Sequence, residues 1–322
     1  MSSEIIFNNE PKLSEYEADS KSNIRRIELL PHVRDFIAIH PRFLNKKIFV
    51  TFAHEGISSL VSIIETPDEK LVLKIPLNIL RSLDEGDFLK VWEKAGVKVP
   101  HVFEEGLLNG HNYILMEYID APILGKVYNN KELIENKIYL EMGSILSAMH
   151  KPKAEGYGRL INGKAEFTNF QDWFESVNIK KRLNYVHENL LLEEEHGSLP
   201  TAFKILLDYF NGKKSSYCHF DFVPFNIFNT NPITVFDPNP EFNNGYVDLG
   251  RSVVIRIAYD NMFPQQLVDG YFAGETYSKK LLHASLLLNS YMKFPYWHKV
   301  KRLKQIKNVQ DYLIQNKHIL ES

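Results

Sequence analysis

The sequence predicts an α+β chain in two lobes: an N-terminal five-stranded antiparallel sheet with a helix over residues 1–117, then a mainly helical lobe over 118–322. Three observations predict it. Between Lys47 and Tyr118 short apolar runs alternate with turn residues, the pattern of strands in a meander. From Leu133 onward apolar residues recur at helical spacing instead. The 322 residues, 44% hydrophobic and 24% charged, suffice for two domains of ordinary globular composition.

Residues 1–22 are polar and acidic without periodicity, and read as a flexible or loosely docked arm. Ile27, Leu30, Val33, Phe36 and Ile37 then give a helix over Arg25–Ile39. Lys47–Phe52 is an apolar run, His54–Ser59 a polar turn, and Leu60–Ile64 resumes alternation before a second turn at Glu65–Lys70. The third strand, Leu71-Val-Leu-Lys74-Ile75, carries a lysine among aliphatics, which on its own reads as a surface residue with its stem along apolar neighbours. Asn78–Gly96 has the helical positions Leu80, Leu83, Phe88, Leu89 and Trp92 and stops at a glycine suited to the helix C-terminus. Val102-Phe103 and Tyr113–Tyr118, around Asn109-Gly110, complete five strands.

The second lobe begins with a helix over Leu133–His150, followed by one or two amphipathic helices in Phe170–Leu192 and a charged break at Glu193–Gly197. Ala202–Asn211, Ser252–Tyr259 and Lys279–Met292 are further helices. The basic segment Trp297–Lys307 could suggest nucleic acid, but Val300, Leu303, Ile306, Val309 and Leu313 form an apolar stripe, so it reads as a docked helix with a basic outer face. A net charge of −2 gives no global attraction to nucleic acid or an anionic membrane. The single cysteine, Cys218, excludes an internal disulfide and a cysteine zinc cluster, and reads as a small buried side chain. The N-terminus lacks a basic and then apolar signal pattern and no apolar run approaches about 18 residues, so the expectation is a soluble cytoplasmic protein.

The chemistry concentrates in Tyr217–Arg251. His219, Asp221 and Asn226 form H-x-D-x-x-x-x-N, and the apolar run Ile233–Phe236 delivers Asp237. Asn-Thr-Asn-Pro at 229–232 is turn chemistry, so the flanking segments can pair as a hairpin that sets Asn226 and Asp237 side by side. An amide oxygen and a carboxylate suit Mg²⁺, which takes hard oxygen ligands and is commonly shared with substrate phosphates. Asp221, across the turn, is free to act as base toward a hydroxyl. His219 reads either as a satisfied core histidine or as a holder of the loop through backbone hydrogen bonds, leaving proton transfer to Asp221. Asp248 reads as an acceptor for loop N–H groups or for Arg251.

This stretch resembles the kinase-like phosphotransferases typified by aminoglycoside phosphotransferases, with choline kinases and fructosamine kinases as relatives. Their pattern is His-Gly-Asp-Leu-His-Pro-Gly-Asn, a short strand ending in the metal Asp, then Asp-Leu. His219, Asp221, Pro224, Asn226, Asp237 and Asp248-Leu249 fall in register. Phe220 and Phe225 replace the glycines and Val223 the second His, which makes the loop bulkier. The resemblance covers roughly residues 47–255 and implies a protein-kinase-like fold. It implies that Gly56, Ser58 and Ser59 form the turn over the nucleotide phosphates, that Lys74 contacts those phosphates with Glu85 as its partner, and that Glu117 and Tyr118 belong to the hinge that meets the base. ATP, or GTP, would lie between the lobes with Mg²⁺ on Asn226 and Asp237. His150, at the end of a family-like helix, is read as structural.

The expected activity is therefore phosphoryl transfer to a hydroxyl of a small molecule. Few carboxylates accompany Phe220, Phe222, Phe225, Trp173 and Phe174, so the expected acceptor is a neutral or singly charged hydroxylated metabolite, a sugar derivative or amino alcohol, in preference to a polycationic antibiotic. A protein kinase is disfavoured by Val223, by Asp237-Pro-Asn and by the lack of Ala-Pro-Glu. A nucleotide-binding scaffold without turnover is the alternative that a crowded loop would favour.

Overall fold

The computed structural model describes residues 4–12, 17–53, 58–77, 84–161, 163–190 and 199–321. The chain divides into two compact units, Met1–Glu93 with Val99–Ala121 and Lys94–Lys98 with Pro122–Ser322.

The first unit holds strands β1 (Glu4–Asn8), β2 (Lys47–Phe52), β3 (Ser59–Glu65), β4 (Lys70–Pro76), β5 (Val102–Leu108) and β6 (His111–Glu117). They form one sheet in the order β1-β2-β3-β4-β6-β5. The five strands β2–β6 pair antiparallel, as expected. β1 is an addition, parallel to β2 with Ile6 opposite Phe49. The expectation of a flexible arm over 1–22 is thereby corrected: Glu4–Asn8 is the edge strand, and the first helix runs from Glu17 to Ile39. What holds β1 is the half-buried trio Ile5, Ile6 and Phe7, with the Phe7 ring 5.2 Å from Phe52 and the Arg34 guanidinium 4.2 Å above it. Edge pairing and aromatic contact together outweigh the polar surroundings.

Leu29, Val33, Phe36 and Ile37 share one face of that helix and are buried against Ile48, Val50, Phe52, Leu71, Leu73 and Ile75. Each such side chain contributes about 1.5–3 kcal/mol when removed from water. Strand periodicity fixes the consequence for Lys74. Leu71, Leu73 and Ile75 take one face of β4, so Lys74 is turned to the other. On that side the helix Asp84–Lys94 buries Phe88, Leu89 and Trp92.

The second unit is mainly helical but contains a five-stranded sheet that the sequence reading does not contain. Its strands are β7 (Lys153–Ala154), β8 (Tyr157–Ile161), β9 (Lys164–Phe167), β10 (Ser215–Cys218) and β13 (Glu241–Asn243), in the order β7-β10-β13-β8-β9. Strands β11 (Ile227–Phe228) and β12 (Thr234–Val235) make a separate hairpin. The single helix expected over Leu133–His150 is two, Asn130–Glu135 and Ile138–Met149, broken at Lys137 with φ of 57°. Ile138–Met149 lies so close to Gln265–Phe272 that a Cβ on Gly143 would come 2.1 Å from Leu267 O, and one on Gly270 2.0 Å from Leu140 O. Gly143→Ala should therefore destabilise by about 1–3 kcal/mol, seen as a lower melting temperature; an unchanged melt would contradict this close approach.

The remaining long helices are Val177–Asn189, Leu199–Phe210, Gly245–Asp260, Lys279–Lys299 and Leu303–Gln315. In the basic tail Ile306, Val309 and Leu313 are buried, whereas Val300 and Leu303 are exposed, so the docked stripe is shorter than expected. Among the described residues no helix is long and apolar enough to cross a membrane.

Candidate active site

Strand β10 ends at Cys218 and hands the chain to the loop His219–Asn226. The turn Pro224–Asn226 leads directly into β11, which pairs with β12 through Ile227 opposite Val235. The ladder extends one step further, the Phe236 amide donating to Asn226 O at 3.0 Å. Asp237 thus follows at the end of the strand that runs beside Asn226, with φ of 51° turning the chain away.

The loop is held from beneath by Asp248, which is fully buried near the start of the Gly245–Asp260 helix. One carboxylate oxygen accepts the His219 amide at 2.6 Å and His150 Nε2–H at 3.0 Å; the other accepts the Phe220 amide at 2.8 Å. Because a carboxylate only accepts, His150 carries its proton on Nε2, and Nδ1 accepts from the Tyr271 hydroxyl at 2.9 Å. Burial would raise the Asp248 pKa, but the hydrogen bonds from His150 and from the His219 amide hold it below the ordinary range. Of the two partners open to Asp248, the structure shows the loop N–H groups. Arg251 makes no ion pair with it; the guanidinium lies 5.4 Å from the centre of the Phe220 ring, and its buried Nε has no hydrogen-bond partner.

His219 is completely buried, and burial lowers its pKa so that it is neutral at pH 7. Its Nδ1 accepts the Asp221 amide at 3.2 Å, which places the proton on Nε2, donated to Phe236 O at 3.1 Å. One ring therefore ties the Asp221 turn to the strand leading to Asp237. Cys218 is also buried, and burial pushes its thiol well above the usual value, so it is an inert core group.

Asn226 donates through Nδ2 to both Asp221 O at 2.8 Å and Asp221 Oδ2 at 3.0 Å. Two consequences follow. Asp221 is held by one oxygen, and the Asn226 amide is oriented so that Oδ1 is its remaining ligand atom. An amide oxygen on Asn226 and the carboxylate of neighbouring Asp237 form a hard-oxygen set that fits Mg²⁺.

The two aromatic replacements part company. Phe220 adopts φ of 53°, the left-handed region that a glycine occupies freely and that costs another residue roughly 1–2 kcal/mol. Its ring is folded into the interior, 4% exposed, and its amide is bonded to Asp248. Phe225 is 54% exposed and lies across Gly125, where a Cβ would come 2.9 Å from the ring.

In the first unit, Lys74 Nζ donates to Glu85 Oε2 at 2.5 Å, and both side chains are buried. Removing either partner of such a pair costs about 3–5 kcal/mol. Ser59 opens β3 and is buried; Ser58 just before it is exposed, and its carbonyl accepts the Leu77 amide at 2.9 Å. Gly56 and Glu193–Glu195 lie outside the described residues. At the end of β6 the Glu117 amide donates to His101 O at 2.8 Å, and its carboxylate accepts the His101 amide at 3.2 Å. The Tyr118 ring has Lys70 Nζ 5.6 Å from its centre.

The sequence reading missed a set of cations in the second unit. Arg159 on β8, Arg182 on the Val177–Asn189 helix and Lys293 on the Lys279–Lys299 helix belong to the surroundings of Asp221, Arg251 and Glu241. Glu241 on β13 accepts Trp173 Nε1–H at 2.5 Å. Nothing in local spacing could have found these three cations, since they come from three separated segments.

Three comparisons bear on this geometry. The model of a family described as the phosphotransferase enzyme family matches residues 50–278. A search of curated proteins by sequence finds no match. Among solved structures, a thermostable mutant of aminoglycoside phosphotransferase APH(4)-Ia, in ternary complex with AMP-PNP and hygromycin B, is similar at TM-score 0.58 and 14% identity, over 83% of this chain and 93% of that one. A protein assigned as a fructosamine-3-kinase, from Haemophilus somnus 129PT, is similar at TM-score 0.53 and 16% identity, over 79% and 88%. A protein assigned as an aminoglycoside phosphotransferase, from Ralstonia eutropha JMP134, gives 0.61 and 13%, over 90% and 98%. The structural likenesses establish the protein-kinase-like fold, and the family match spans both the Lys74–Glu85 pair and the whole His219–Asp248 assembly. The chain belongs to the phosphotransferase enzyme family.

Proposed function

We propose that the protein transfers the γ-phosphoryl group of ATP or GTP to the hydroxyl of a small metabolite in a Mg²⁺-dependent reaction, with Asp221 as the catalytic base. The observation that carries this reading is the linkage of Asp221, Asn226 and Asp237 through one hairpin and one side-chain amide. The AMP-PNP and hygromycin B in the APH(4)-Ia complex support a nucleotide co-substrate and a small-molecule acceptor.

In this reading each residue has one task. Lys74, fixed by Glu85, contacts the nucleotide phosphates, with Gly56, Ser58 and Ser59 as further donors and Glu117 and Tyr118 near the base. Asn226 Oδ1 and Asp237 would hold Mg²⁺, which would supply positive charge against the nucleotide phosphates. Asp221, restrained by Asn226 on one oxygen, presents the other to the acceptor hydroxyl and takes its proton as the oxygen attacks the γ-phosphorus, whose bond to the β-phosphate oxygen breaks to release the nucleoside diphosphate. His219, His150 and Asp248 keep the loop in that geometry. Most of the catalysis is positioning and electrostatics. Use of ATP fits a cytoplasmic location.

Nucleotide binding without turnover was the alternative that loop crowding favoured. With Phe220 packed inward and Phe225 outward, that motive is weakened. The metal assignment is tested by melting temperature. ATP with Mg²⁺ at about 100 times its Kd should stabilise by about 2.7 kcal/mol, and Asp237→Ala should remove the Mg²⁺-dependent part. An equal shift with and without Mg²⁺ would refute the assignment.

A further inference from the structure

Among the described residues, the cations near Asp221 make no ion pair. Arg251 has a buried Nε without a hydrogen-bond partner, and its guanidinium lies 5.4 Å from the centre of the ring of Phe220, the residue beside Asp221. Lys293 is half-buried and makes no hydrogen bond or ion pair among the described residues. The residue before it, Met292, gives its carbonyl to Arg182 NH1 at 3.1 Å, so Arg182 and Lys293 come from adjacent anchor points. Arg159 donates at 3.3 Å to Asn239 Oδ1, and the Asn239 amide donates at 2.9 Å to His219 O, which ties that cation to the same loop.

These groups also sense one another. Burial lowers the Arg251 pKa, with Asp221 and then Glu241 opposing. The Lys293 ammonium is pushed down to about 7 by burial and then by Arg251, with Asp221 opposing. Five cations face this region, namely Arg159, Arg182, Arg251, Lys293 and Arg302. The carboxylates there are Asp221, Glu241 and Asp248, the last already enclosed by its donors. Among the described residues no carboxylate lies within ion-pair distance of any of the five. Arg251 and Lys293 are partly buried, whereas Arg159, Arg182 and Arg302 reach solvent, and holding the first two partly out of water without anionic partners is unfavourable. A set of such charges converging beside a reactive carboxylate marks a place where a ligand brings the missing anion. A guanidinium fork with an ammonium next to it matches the oxygens of a carboxylate or phosphate.

We infer that the acceptor carries an anionic group, carboxylate or phosphate, seated by Arg251, Lys293 and Arg182 while its hydroxyl faces Asp221. This rests on the reading of Asp221 as the acceptor-facing base, and it narrows the singly charged acceptor to an anion, setting aside the amino alcohol. Trp173 and the Glu241 it holds then serve the uncharged, hydroxylated part of the molecule.

The test uses the full-length protein and matched acceptors: gluconate and glucuronate, glucose 6-phosphate and ribose 5-phosphate, against glucose, ribose and glucosamine. Binding is measured by calorimetry and transfer by label from γ-labelled ATP. The expected result is binding of one anionic class at least about tenfold tighter than its neutral parent, the two anionic arms showing whether carboxylate or phosphate is preferred. Arg251→Gln and Lys293→Met should each shrink that preference to within about threefold, and circular dichroism shows whether each variant is folded. Anion preference in binding without transfer would uphold the anion seat and sink the transfer reading. Transfer without anion preference would overturn the anion seat alone, as would a preference unchanged in both variants. Uniform loss for charged and neutral acceptors would also overturn it, assigning the cations to the transferred phosphoryl group.

Discussion

Asp221→Asn is expected to bind Mg²⁺-nucleotide with nearly wild-type affinity and to lose about 10²–10⁴-fold in phosphoryl transfer, the range for removing a general base. The substitution is nearly isosteric, and the structure shows why it separates the two effects. Asn226 donates to the Asp221 backbone carbonyl as well as to its carboxylate, so the backbone contact and one side-chain oxygen remain to orient Asn226. Only the second oxygen, the one assigned to the acceptor proton, loses its basicity. Nucleotide titration followed by single-turnover transfer reads both quantities. Parallel loss of affinity and transfer would instead make Asp221 a metal ligand or a structural residue.

Asp248→Asn is expected to be the most destabilising single change in the site, by about 3–5 kcal/mol. An amide in that position keeps one acceptor oxygen where two are in use, and turns its NH₂ toward a buried N–H or toward His150 Nε2–H. The loop would lose the anchor of both His219 and Phe220, and the strained φ of Phe220 would have less to hold it. The pH dependence has a definite sign. The folded pKa of Asp248 lies below its ordinary 3.8, so its stabilisation is complete above that value and is lost as pH falls through the lower folded value. Chemical denaturation from pH 3 to 7 should show wild type losing stability toward the acid end and Asp248→Asn showing a flatter dependence. A variant as stable as wild type at neutral pH would contradict the anchoring role.

What the sequence makes legible is local. The turn residues at 229–232 and the apolar run before Asp237 specify a short hairpin, and a hairpin determines which side chains stand together. Lys74 within an aliphatic strand is likewise a local signal, since strand alternation separates its face from that of Leu73 and Ile75. Two kinds of feature were not legible. Strands of two to five residues, such as Lys153–Ala154, Glu241–Asn243 and the edge strand Glu4–Asn8, are too short to express an alternating pattern and exist through their partners. The cation cluster joins residues from β8 and three helices; Lys293 in particular looks like any helix lysine until the fold takes it partly out of water. Phe220 shows the reverse case. The substitution of a glycine position is visible in the sequence, but the inward rotamer and the Asp248 hydrogen bond that tolerate it are tertiary facts.

The most direct test of the assigned chemistry is a single-turnover experiment with γ-labelled ATP, Mg²⁺ and the acceptor panel, quenched and resolved into products. The account predicts label in a stable phosphate monoester of a small hydroxylated molecule with the wild-type protein, and label remaining in ATP with Asp221→Asn. Label appearing on serine or threonine of a protein, or only as inorganic phosphate at the same rate in both proteins, would contradict it.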